Sequence, residues 1–225
     1  MEPPSFQYRR LSGPRGIQGS DLWVKNVTPE TLWTWVGWAR LEEPMARITF
    51  NGNPIHTCGS LPLVGDATPM FRLTRGDLSE FTSVDLEGKR VLLSIFPSLD
   101  TTTCAESVRK FNALTADLTD TVLVCVSLDL PFAQARFCVG DNLEHVVTAS
   151  AFRHREFGEA FGVTLEDGPL RGLLARAVVV LDENGTVVHT ELVPELTQEP
   201  NYDLAVHAIR NHHHPCPEDA AEGTE

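Results

Sequence analysis

A chain of 225 residues with 42% hydrophobic and 22% charged side chains can bury one sizeable core, which excludes a disordered or collagen-like protein. Its net charge of −13 argues against binding to nucleic acid or to an anionic membrane. Five cysteines, at 58, 104, 125, 138 and 216, are too few for a disulfide-stapled secreted scaffold, and no two form the CxxC pair of a structural zinc site.

Residues 1–44 differ from the rest. The opening twenty are rich in Pro, Gly and Arg without apolar period, and read as disordered. All four tryptophans, Trp23, Trp33, Trp35 and Trp38, fall in this part. The apolar run TLWTWVGWA is too short to span a bilayer. Lys25 and Glu30 separate it from Arg9 and Arg10, and no small cleavage-site residues follow, so it is not expected to act as a signal peptide. Residues 1–44 are therefore expected to be an extension, with Met45 as an alternative start.

From Arg47 the signals are dense. ITFNGNPIHT reads as a hairpin turning at Asn51-Gly52. MFRLT (70–74) reads as a strand. Residues 86–89 form a turn into RVLLSIF (90–96), an apolar run suited to a strand buried on both faces. Val108, Phe111, Leu114 and Leu118 share one face of a helix over 104–118. TVLVCVSLD (121–129) is a second buried strand. A helix over 131–137 starts at Pro131, with Gly140 just past its end. HVVTAS (145–150) is a strand, and 154–162 a helix closed by Gly162. ARAVVVL (175–181) and TVVHTEL (186–192) make a second hairpin, and 203–209 a last helix. There are no internal repeats. Residues 212–225 read as a mobile tail. This order predicts an α/β fold with a central mixed sheet and an N-terminal β-hairpin.

The chemistry concentrates at IFPSLDTTTCAESVRKFN (95–112). A buried strand ends, a Pro-Ser-Leu-Asp-Thr loop follows, and Cys104 falls at the start of a helix. Unpaired backbone N–H groups and the helix dipole there favour a thiolate. On placement alone, a reactive thiol and an inert buried cysteine behind a helix cap are equally good readings. Cys125, mid-strand, reads as a small buried hydrophobe. Cys58 reads as incidental. Cys216 lies beside His212, His213 and His214 in a tail without fixed geometry, and no metal is expected there. His56, His145 and His154 show no partner spacing.

Pro97, Thr101 and Cys104 form PxxxTxxC. With this motif, GNPIHTCGSLPLVGDATPMFRLT, SLDLPFAQARFC, FGVTLEDGPLRGLLARAVVVLDENGTVV and LVPELTQEPNYDLAV resemble, in order and spacing, the bacterial thiol peroxidases. These are atypical two-cysteine peroxiredoxins of the thioredoxin-like superfamily. The resemblance covers about residues 46–210 and places the domain at 45–211.

The resemblance implies a thioredoxin-like fold and a peroxidase that reduces hydrogen peroxide and alkyl hydroperoxides without metal, haem or flavin. Cys104 matches the peroxidatic cysteine and Cys138 the resolving one, which implies a Cys104–Cys138 disulfide recycled by thioredoxin. Pro97 matches the proline that shields the thiol, Thr101 the threonine that bonds thiolate and peroxide, and Arg176 the active-site arginine. Arg109 is a secondary candidate. By residue type alone, Arg109 and Arg176 read as surface charges. Phe132 and Phe137 read as core packing, and by resemblance as apolar surface for alkyl substrates and a dimer. A cytoplasmic homodimer is implied. A peroxide sensor that passes its disulfide to a client is the alternative. Because each cysteine sits on its own helix, local unwinding around Cys104 and over 131–140 is expected before they can bond.

Overall fold

The computed structural model describes residues 45–211, together with the backbone of β1 (Tyr8–Arg10) and β2 (Trp23–Lys25). The chain divides into two compact units, residues 1–42 and 43–225. In the first, β1 and β2 pair antiparallel, which its composition did not suggest. The remaining expectations for residues 1–44 and for the 212–225 tail, Cys216 included, lie outside the described residues.

In the second unit, β3 (Arg47–Phe50) and β4 (Asn53–His56) form the expected hairpin. Its turn residues, Asn51 at φ 52° and Gly52 at φ 78°, both take the left-handed conformation of a tight two-residue turn. The main sheet has seven strands in the order β11-β10-β7-β8-β9-β5-β6. These are β5 (Arg72–Arg75), β6 (Glu80–Thr82), β7 (Arg90–Ile95), β8 (Thr121–Ser127), β9 (Val146–Ser150), β10 (Ala177–Leu181) and β11 (Val187–Leu192). β7, β8 and β9 are parallel, and the outer pairings are antiparallel, so the sheet is mixed.

Alternating residues of the central strands feed two cores. Val91, Leu93, Ile95, Val124 and Val126 meet the short helix α3 (Glu156–Ala160), through Phe157, and the β3–β4 hairpin, through Ile48 and Ile55. Leu92, Leu123, Cys125, Val178 and Val180 face the other way. There they meet α1 (Thr102–Thr115), through Val108 and Phe111, and α4 (Tyr202–Asn211), through Ala205 and Ile209. α2 (Pro131–Gly140) packs on β9 beside α1. The two helices that carry Cys104 and Cys138 are thus neighbours on one face of one sheet.

Four local features differ from the sequence reading. β6 was not expected: it has three residues, only Phe81 buried, and in its turn, residues 76–79, the positive φ of 70° falls on Leu78 rather than on Gly76. A 3-10 turn over Ser83–Leu86 precedes β7, and α3 is shorter than expected. Gly162, past α3, takes φ 65° against the Ser60 backbone, where a side chain would collide. His56 does have a partner: its Nδ1 lies 2.7 Å from Asp167 Oδ2, a contact 111 residues apart in sequence.

Candidate active site

β7 delivers the chain to Phe96, whose N–H donates to Val126 O, and Pro97 is buried where the chain leaves the sheet. Thr101 stands at the N-cap of α1 with extended backbone (φ −101°, ψ 141°), yet its hydroxyl does not cap the helix. It lies 2.7 Å from Cys104 Sγ and 3.1 Å from Ser98 O. One hydroxyl serves both sulfur states. It accepts from a thiol while donating to Ser98 O, and it donates to a thiolate. Thr101 is exposed and Cys104 has 0% exposure, so the hydroxyl sits between solvent and sulfur.

The second group on the sulfur comes from the start of β10, the strand paired antiparallel with β7. Arg176, just before β10, is 3% exposed, which corrects its reading by residue type as a surface charge. Its Nη2 donates to Cys104 Sγ at 3.3 Å, and Nε and Nη2 donate to Leu196 O at 3.2 and 3.1 Å. Nη1 is buried and meets no acceptor among the described residues. A desolvated guanidinium with one open N–H group, held rigidly against a sulfur, stabilises negative charge on that sulfur and on an atom bound beside it.

The segment after β11 holds both partners. Glu195 accepts from the N–H groups of Asn51 and Gly52 on the hairpin turn, from Thr49 Oγ1, and from the N–H and hydroxyl of Thr197. This fixes Leu196 O beneath Arg176. Thr103 Oγ1 donates to Thr197 O at 3.3 Å. Two turns further along α1, Lys110 pairs with Glu199 at 2.5 Å. The Tyr202 hydroxyl lies 2.7 Å from Glu199 Oε2 and 3.1 Å from Ser107 Oγ, and burial pushes its proton affinity up.

The bonds from Gly52 and Thr197, with that from Thr49, hold the Glu195 carboxyl down to about 2. A depressed carboxylate stabilises the fold above its ordinary value near 4.5, and the contribution is lost as pH falls toward about 2. Glu195→Gln is therefore expected to flatten the acid side of the stability profile. Melting temperatures measured from pH 7 to about 2 should fall less steeply in the variant, and parallel profiles would remove this role.

Cys138 lies on α2 with its Sγ 3.6 Å from Thr148 Oγ1, and burial pushes its thiol up. Thr148 is the register partner of Cys125 on β8, so Cys125 lies next to Cys138 in a buried layer, and its own thiol is pushed well up by burial. Cys58, Cys104, Cys125 and Cys138 are all free. Arg109 does not touch Cys104. Its Nη2 and Nε reach Asp141 Oδ2 at 2.8 and 2.9 Å, and its guanidinium lies 5.5 Å from the Phe137 ring centre. It ties α1 to the end of α2. Phe137 packs on the core, whereas Phe132 is 62% exposed. Among the described residues, no three His, Cys, Asp or Glu side chains gather into a metal-binding group.

The structure thus brings Thr101, Cys104 and Arg176 together, with Pro97 buried at the start of the same loop, and leaves Cys138 on the adjacent helix. The sequence reading passed over Glu195 and Asp129. Each is an acidic residue two or three residues past the end of a strand, β8 for Asp129 and β11 for Glu195, and that position is the only local signal.

Comparison with known proteins agrees with this geometry. A family model described as Redoxin matches residues 63–206. Thiol peroxidases from Mycobacterium tuberculosis and Corynebacterium glutamicum are 56% and 50% identical over 165 residues, 73% of this chain and 99% of each relative. A peroxiredoxin-like protein from Aquifex aeolicus has a TM-score of 0.70 at 39% identity, over 74% of this chain and 97% of that one. Thiol peroxidase from Chromobacterium violaceum, at 19% identity and a TM-score of 0.68 over 73% and 95% of the two chains, shares the fold. With these relatives and this sheet, the chain belongs to the redoxin family, in its thiol peroxidase branch.

Proposed function

We propose that this chain reduces hydroperoxides with a thiol, using Cys104 as the attacking group and residues 45–211 as the catalytic unit. The observation that carries the reading is the convergence of the Thr101 hydroxyl and the Arg176 guanidinium on the sulfur of Cys104. The Cys104 thiolate attacks the terminal oxygen of the peroxide. An S–O bond forms as the O–O bond breaks, and the leaving alkoxide or hydroxide takes a proton. Arg176 stabilises the charge that moves from sulfur to oxygen, with Nη1 open to the peroxide. Cys104 is left as sulfenic acid. Cys138, as thiolate, displaces hydroxide from it and closes the intrachain disulfide. Two electrons from a dithiol reopen it.

Thioredoxin as that dithiol, a homodimer, a cytoplasmic location and alkyl hydroperoxides as substrates belong to the same proposal, on the family resemblance. Phe132 and Val139, seven residues apart on α2 and 62% and 81% exposed, supply an apolar face for a partner or an alkyl chain. Among the described residues no helix is long and apolar enough to cross a membrane.

The test is steady-state peroxide consumption with thioredoxin and its reductase, with mass mapping under non-reducing conditions after one equivalent of peroxide. Many turnovers and a Cys104–Cys138 bridge are expected. Consumption that stops at one equivalent would sink the enzyme reading in favour of a sensor. Arg176→Ala is expected to slow the reaction of Cys104 with peroxide by about 10²–10³-fold, the range for losing one fixed donor at a developing charge. A normal second-order rate in stopped flow would remove Arg176 from the site.

A further inference from the structure

The loop from Pro97 to Thr101 has no regular structure, yet it must hold the Thr101 hydroxyl on a sulfur. Its anchor is Asp129, just past the end of β8. Asp129 Oδ1 accepts from Ser98 Oγ at 2.7 Å, and Oδ2 accepts from the Leu99 N–H at 2.7 Å. Ser98 in turn offers its carbonyl to the Thr101 N–H and hydroxyl. The path from the carboxylate to the sulfur is therefore three short steps: Asp129, Ser98, Thr101, Cys104.

The same carboxylate also anchors the second cysteine's helix. Asp129 Oδ2 accepts from Ser127 Oγ at 2.8 Å, and Ser127 Oγ accepts from Gln134 Nε2 at 3.0 Å. Gln134 is on α2 with 0% exposure, four residues before Cys138 and so on the same helix face. Its Nε2 also reaches Ala149 O at 3.3 Å. The Asp129 carbonyl accepts from Ser150 Oγ. Charge-assisted bonds of this length are about twice as strong as neutral ones.

We propose that Asp129 is a positioning residue that clamps both cysteine segments in the peroxide-reactive arrangement, and that release of its bonds to Ser98 and Leu99 is what frees Cys104 to meet Cys138. The inference rests on the reading of Cys104 and Cys138 as the working pair. The clamp then sets two rates in opposition. Holding Thr101 on the sulfur speeds attack on peroxide. Holding the loop closed slows disulfide formation and leaves the sulfenic acid open to a second peroxide, which yields sulfinic acid.

The test is Asp129→Asn, which keeps the size of the side chain but loses its charge and one acceptor. Rapid-quench mass analysis of the full chain with hydrogen peroxide follows both steps on Cys104. The peroxide step is expected to slow about tenfold, the size of one lost charge-assisted bond near 1.4 kcal/mol. Conversion of sulfenic acid to the disulfide is expected to speed up several-fold, with less sulfinic acid at each peroxide concentration. Ser98→Ala removes one of the two loop bonds and carries the test if the first variant does not fold; it should move both rates the same way by less. Both rates falling together, or neither changing, would overturn the clamp, since a merely structural loss cannot accelerate the second step. Absence of the Cys104–Cys138 bridge in the wild type would overturn the reading of the pair, and the clamp with it; a wild type that bridges normally makes any failure the clamp's own.

Discussion

Cys104→Ser is expected to consume no peroxide above the uncatalysed background, with the fold intact. The substitution exchanges one small group for another at a site with 0% exposure. A serine hydroxyl there still finds the Thr101 hydroxyl and the Arg176 guanidinium as hydrogen-bond partners, so no buried polar group is orphaned. Melting should shift by only a few degrees, on the order of 1 kcal/mol for a domain of this size. The chemistry, by contrast, disappears. The thiolate is the nucleophile, and an alcohol is not ionised to any useful extent near neutral pH even beside a guanidinium. Serine also forms no sulfenic acid, so it offers no oxidised centre for the Cys138 thiolate to attack. Peroxide loss measured with an excess of thioredoxin and reductase is the readout. Residual turnover above background would mean that Cys58, Cys125, Cys138 or Cys216 carries out the attack, and the site would have to be moved there.

How much of this could be read from residue order depended on the range of each contact. β7 and β8 were legible because a strand buried on both faces carries a continuous apolar run, and residues 91–93 and 122–126 are such runs. The β3–β4 hairpin was legible because Asn51-Gly52 is a local device with a local signature. β6 was not, because three residues with only Phe81 buried are too few to show an alternation, even beside the Gly76-Asp77 turn. The active loop was recognised by its motif, but residue type alone pointed the wrong way for Arg176. What buries that arginine is Leu196 O from another segment, and what fixes Leu196 is Glu195, bonded to a turn 144 residues earlier. Asp129 is likewise 31 residues from Ser98. Groups whose partners come only from chain folding back leave no periodicity behind them. Arg109 is the converse case: the motif suggested closeness to the reacting thiol, and the structure gives it Asp141 and Phe137 on the neighbouring helix instead.

Cys138→Ser is expected to separate the two halves of the cycle. The variant should still reduce one equivalent of peroxide at close to the wild-type rate, because Thr101, Cys104 and Arg176 are untouched. It should then stop, with Cys104 held as sulfenic acid that a dimedone-type reagent captures, and thioredoxin-linked turnover should fall to background. Cys125 makes this a stringent test. It lies beside Cys138, through its register partner Thr148, and is the obvious substitute thiol. Yet it is fixed in the middle of β8, fully buried, with its thiol pushed well up, so the thiolate needed for attack is scarce and the strand cannot carry it to Cys104. Cys138 differs in the one respect that matters. It too is held protonated by burial, but it sits on a ten-residue helix tied down by Gln134 and Arg109, contacts that can open without breaking the sheet. Undiminished thioredoxin-linked turnover in Cys138→Ser would assign resolution elsewhere, and its loss on the further change Cys125→Ser would name the substitute. Capture of a stable sulfenic acid in the single variant would show that mobility of the second segment, rather than nearness of a thiol, decides which cysteine closes the disulfide.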